Sequence, residues 1–213
     1  MMFLLAPIPP IVALILYVDI ARVFNIINVN ALKKLLGIRG SKLIGGFLKV
    51  LGLGYVAGLT INAFVALGEE YGWRAFLTYS LANILGLGVL LSTILVGVIW
   101  GLWHIPLVIT TIPVLKRDLP WINFRLALIS YIASCIILTY PLYVLLVTSH
   151  SILLPAAFHG AINASWRLPQ YVTKIGKESR RKDLAKMMLI SVIAWGVAVA
   201  LTLMLTYLII ILT

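Results

Sequence analysis

A few polar side chains sit where the sequence around them should exclude them. Glu69, Glu70 and Arg74 fall within ALGEEYGWRAFL, residues 66–77. His104 ends the run Trp100-Gly-Leu-Trp103-His104 and is followed by Ile105-Pro106. His159 and Asn163 bracket HGAIN. On a helix, Glu70 and Arg74 are spaced i, i+4 with the glutamate N-terminal, the favourable order for an ion pair. That leaves Glu69 without a local partner, about 100° further round the helix. Trp100 and His104 share a helix face, as do His159 and Asn163. A carboxylate and an imidazole can bind and deprotonate water. A second imidazole and an amide can donate hydrogen bonds to an oxyanion. Glu69, His104, His159 and Asn163 are therefore the parts of a hydrolytic site, with Trp100 beside His104. Each constellation also has a plainer reading. The first could be a solvated interfacial loop, the second a structural histidine, and the third an interhelical clamp of the kind common in membrane bundles.

The elements that must position these residues are apolar. Hydrophobic types make up 62% of the 213 residues, charged types 11%, and the mean hydropathy is +1.11. A soluble domain carries about 25% charged residues. Asp, Glu, Lys and Arg are absent from 1–18, 50–68, 75–115, 126–166 and 187–213. A spanning helix needs about 20 residues, so 126–166 holds two segments with a turn at Ser149-His150-Ser151. The runs are continuous and lack the alternation of a barrel strand, which predicts helices.

Six segments result, at about 3–20, 44–80, 86–109, 125–148, 151–167 and 187–212. They become seven if 44–80 breaks at Gly45, Gly46, Gly52, Gly54 or Gly68. Pro7, Pro9 and Pro10 interrupt the first segment, and no basic stretch precedes it, which argues against a cleaved signal peptide. The expected fold is all-α, a polytopic transmembrane helical bundle of about 6–7 membrane segments around an intramembrane polar cavity, as a single domain over 1–213. Ionisable groups inside a membrane usually face such a cavity and mark function. Counted from the short loop near 84–86, Glu69 and His104 lie at similar depth. Cys135, the single cysteine, falls in mid-span and reads as packing.

The net charge of +11 is not a nucleic-acid footprint, because no fold for that purpose is visible. The cations fall between apolar runs in three clusters. The first is Lys33, Lys34, Arg39, Lys42 and Lys49, with Arg22 upstream. The second is Lys116, Arg117 and Arg125. The third is Arg167, Lys174, Lys177, Arg180, Arg181, Lys182 and Lys186. Basic loops of this kind stay on the cytoplasmic side and attract anionic lipid head groups. The expected location is therefore the cell membrane, with the basic loops and the opening of the site facing the cytoplasm.

The three constellations, in this order and in apolar host segments, resemble the CPBP (Abi) family of intramembrane glutamic endopeptidases, which includes the type II CAAX prenyl endopeptidases. EEYGWR matches its EExxxR motif, Trp100 to His104 its F/WxxxH motif, and His159 to Asn163 its HxxxN motif. The resemblance covers about 43–167, the expected catalytic core. It implies that Glu69 activates water with help from His104, that His159 and Asn163 stabilise the oxyanion, and that Glu70 and Arg74 support the site. It implies a lipidated or membrane-associated peptide substrate, of prenylated CAAX type or another, and no cofactor. Two other readings stay open. Glu69, His104 and His159 could form a His₂Glu zinc set, although HExxH is missing. The cluster could also serve packing in a non-enzymatic scaffold or bacteriocin-immunity-type protein, in which case Glu69→Gln would be tolerated.

Overall fold

The computed structural model describes residues 2–35, 43–118, 121–165 and 168–212. Arg39, Lys42 and Arg167 of the basic clusters lie outside the described residues. The prolines of the first apolar run do not interrupt a span; they open a helix. After α1 (Met2–Leu5), α2 (Ile8–Val23) begins with Pro7 at its N-cap and Pro9 and Pro10 in its first turn. Prolines there have no intrahelical N–H bond to lose.

Following α3 (Val29–Leu35), the long 44–80 segment breaks, but not at a glycine. It divides into α4 (Leu43–Leu59) and α5 (Ile61–Glu70) around Thr60. The Thr60 hydroxyl donates to the Val56 carbonyl at 2.7 Å, and a hydroxyl bonded to the i−4 carbonyl favours bending. Residues Gly45–Leu59 and Ile61–Ile84 meet at 48°. Past Glu70 the helix widens into two π-helical stretches, π1 (Tyr71–Thr78) and π2 (Ser80–Ile84). Such widening is uncommon and often accompanies function.

The 86–109 segment is also bent, by 41°, between α6 (Val89–Trp103) and α7 (Ile105–Asp118). His104 sits at the break. Pro106, lacking an N–H, cannot continue the α6 hydrogen-bond ladder. The next helix, α8 (Phe124–Ser149), starts at Asn123, whose Oδ1 accepts the Leu126 N–H at 2.9 Å. It ends at the expected turn, where His150 adopts the left-handed conformation with φ of 50°. Then come α9 (Leu153–Ser165), α10 (Leu168–Val172) and α11 (Arg180–Leu212). The last helix starts before the apolar run at 187, so Arg180, Arg181, Lys182 and Lys186 are helical rather than in a loop. Asp183 fastens that start, accepting from the Ser179 hydroxyl at 2.5 Å and from the Gly176 N–H at 2.9 Å.

Among the described residues the fold is helical. Three helical stretches of these residues are long and apolar enough to cross a bilayer: Met2–Val23, Phe124–Ser149 and Arg180–Ile211. Counting each bent pair as one span raises the number to 5, below the six to seven expected from the sequence.

The chain divides into two units, one of residues 3–63 and 157–201, the other of 64–156 with the C-terminal end from 202. In the first, Leu14, Tyr17, Ala21, Val172, Ile190, Ala194 and Ala198 form a buried core. An antiparallel bridge joins Ile27 to Thr173. The Tyr17 hydroxyl donates to Thr173 Oγ1 at 2.6 Å, because the Thr173 proton is directed to the Pro169 carbonyl. In the second unit α6 lies directly against α8. A Cβ at Gly97 would come within 2.5 Å of Ile136 Cα, and one at Gly101 within 2.5 Å of Ile132 Cα. Gly97 and Gly101 form the small-xxx-small pattern that lets membrane helices approach backbone to backbone.

Candidate active site

Glu69, Glu70, Arg74, Trp100 and His104 all belong to the second unit, and Trp100 connects them. The expected Glu70–Arg74 pair forms, with Nη1 and Oε1 separated by 3.0 Å and both side chains fully buried. Burying an ion pair carries a desolvation cost that its attraction often fails to recover. Here the Trp100 ring supplies a further contact, with the guanidinium carbon of Arg74 3.8 Å from the ring centroid. A desolvated cation–π contact contributes on the order of 2 kcal/mol.

Glu69 stays outside this ion pair, as expected. It has a partner, 31 residues away: the Trp100 indole N–H donates to Glu69 Oε2 at 2.8 Å. The same tryptophan reaches His104 through its main chain, its carbonyl lying 2.8 Å from His104 Nδ1. A carbonyl can only accept, so Nδ1 carries the proton and the lone pair of the neutral ring resides on Nε2.

The sequence puts aromatic residues beside the imidazole, but the contacts from α8 were missed. Tyr131 of α8 stacks on His104 with centroids 4.7 Å apart and planes 24° apart. Trp103 meets the same ring edge-on at 5.3 Å and is itself 6.1 Å from Trp73. Cys135 is buried as expected, but it also lies on the site, with its sulfur 3.9 Å from His104 Nδ1. One signal for this arrangement was present. Gly97-Val-Ile-Trp100-Gly101 overlaps Trp100-Gly-Leu-Trp-His104, so the residues that bring α8 close are interleaved with those of the motif. Tyr131 and Cys135 are i, i+4 on α8 and flank Ile132 and Ile136, the residues facing those glycines. Within this unit, no three described His, Cys, Asp or Glu side chains gather as a metal-ligand set.

His159 and Asn163 belong to the first unit. On α9, His159 is buried and Asn163 is exposed. The helix is held there by close backbone contact. A Cβ at Gly160 would lie 2.6 Å from the Ala63 nitrogen and 2.8 Å from the Gly58 carbonyl oxygen. Asn62 Nδ2 donates to the Gly160 carbonyl at 3.2 Å.

Apolar helices of spanning length and polar residues gathered within them define a helical integral membrane protein. The model of the type II CAAX prenyl endopeptidase Rce1-like family matches residues 51–165, and the chain belongs to that family. At family level this is CAAX-type intramembrane protease activity. No curated protein and no solved structure matches the chain.

Proposed function

We propose that this chain is a glutamate-dependent intramembrane endopeptidase acting on a prenylated CAAX-type or other membrane-associated peptide. The observation that carries the reading is the contact of Glu69 and His104 with one residue, Trp100. The indole N–H occupies Glu69 Oε2, so Oε1 is the oxygen that takes a proton from water. His104 Nε2 accepts a hydrogen bond from the same water and orients it. As the water oxygen bonds to the scissile carbonyl carbon, its proton passes to Glu69. His159 and Asn163 donate to the resulting oxyanion. The proton then moves to the leaving nitrogen as the C–N bond breaks, and the carboxylate is restored. The mechanism requires no metal. The working core is 43–167 within one membrane domain, around a polar cavity open to the cytoplasm and the bilayer, with the basic segments on the cytoplasmic side.

Purified protein should hydrolyse a prenylated CAAX peptide, before and after treatment with a chelator. Glu69→Gln should abolish turnover, since positioned acid–base groups contribute about 10²–10⁴-fold, while leaving thermal unfolding unchanged. Equal turnover by the variant and the wild type would remove the catalytic assignment. Loss of activity on chelation, restored with a stoichiometric metal, would favour zinc chemistry. Orientation is checked with Lys177→Cys in a Cys135→Ala background. An impermeant thiol reagent added to intact cells should leave it unlabelled, and labelling there would reverse the topology.

A further inference from the structure

We infer that Trp100 is a positioning residue that transmits the charge of Arg74, held in place by Glu70, to Glu69. The inference rests on the catalytic role proposed for Glu69 and adds a function for three residues that touch no reacting atom. Arg74 lies over the face of the Trp100 ring, 3.8 Å from its centroid. The edge of that ring donates to Glu69 Oε2 at 2.8 Å. A cation on the π face draws electron density out of the indole and makes its N–H a stronger donor, as hydrogen bonds polarise one another in a low dielectric. The chain of contacts therefore runs from the Glu70 carboxylate to the Arg74 guanidinium, through the indole, to the Glu69 carboxylate.

The arrangement explains why two adjacent glutamates are useful. Direct pairing of Arg74 with Glu69 would bind the reacting carboxylate to a full positive charge and weaken it as a base. Glu70 occupies Arg74 instead, at 3.0 Å, and Glu69 feels the cation from across the ring rather than in contact with it. The indole also fixes which carboxylate oxygen faces water. Burial supports the same reading, because Glu70 and Arg74 are 0% exposed and Trp100 is 3% exposed. No solvent therefore intervenes to screen the contact.

Two variants separate the parts. Trp100→Phe keeps a ring beneath Arg74 and deletes the donor. A hydrogen bond to a charged group supports a fall of about 10- to 100-fold in kcat, with KM nearly unchanged. Glu70→Met combined with Arg74→Met removes the buried pair without stranding a charge, a replacement that proteins often tolerate. It should lower kcat while thermal unfolding stays near that of the wild type.

A readout independent of activity is the Trp100 indole N–H resonance in ¹⁵N-labelled protein, assigned by its loss in Trp100→Phe. It should move upfield in Glu69→Gln, where a neutral acceptor replaces the carboxylate, and upfield again in the double methionine variant. If the peptide is not cleaved by the wild type but both shifts occur, the transmission holds and the substrate reading fails. An indole resonance unmoved by the double methionine variant, or wild-type kcat in that variant, would overturn the inference.

Discussion

In the second unit, the acidic and basic side chains hold one another through a shared tryptophan. In the first, His159 and Asn163 ride on a helix held by close backbone contact. The Glu69–Trp100–Arg74–Glu70 chain is made of directional contacts between side chains. Around Gly160 the contact is with main-chain atoms of Gly58 and Ala63. Groups that carry charge in a membrane need partners, and around Gly160 main-chain contact sets where α9 lies. The contact around Gly160 is sensitive to volume, the Trp100 chain to polarity.

The sharpest test of that difference is on α9. Asn163→Ala should lower kcat by about 10²–10³-fold, the usual loss for one oxyanion donor. Its unfolding temperature should stay unchanged, because the side chain is exposed. His159→Ala, which empties a buried position, should lose stability as well. If Asn163→Ala unfolds several degrees lower and keeps its kcat, the residue is a clamp rather than a donor.

Next in size are the glycines. Gly101→Ala and Gly160→Ala each force a methyl group against main chain, and overpacking of this kind costs about 1–3 kcal/mol. Both should lower the unfolding temperature in detergent. Gly101→Ala should also reduce turnover, because the α6–α8 approach brings Tyr131 onto His104. Unchanged unfolding in both variants would show that the close contacts are not needed.

A more modest effect is expected at Tyr131. Losing an aromatic stack is worth about 0.5–1.5 kcal/mol, so Tyr131→Leu should lower kcat by about threefold to tenfold. Tyr131→Phe retains the ring and should keep most of the activity. Equal losses in the two variants would assign the role to the hydroxyl instead of the stack.

The helical fold, the apolar runs, the turn at His150 and the Glu70–Arg74 pair were all legible in the order of the residues. Each depends on composition or on neighbours within one helix, where a spacing of four residues decides which side chains meet. The partner of Glu69, the surroundings of His104 and the bend at Thr60 emerged only from the packed helices. Trp100 is 31 positions from Glu69, and no spacing rule links side chains on separate helices. Their meeting depends on how closely the helices approach. At Tyr131 that approach is set by Gly97 and Gly101, whose spacing marks a close helix contact without naming the helix that makes it. The bend at Thr60 was equally hidden, because the glycines of this segment offer conformational freedom in many places and the break falls at none of them.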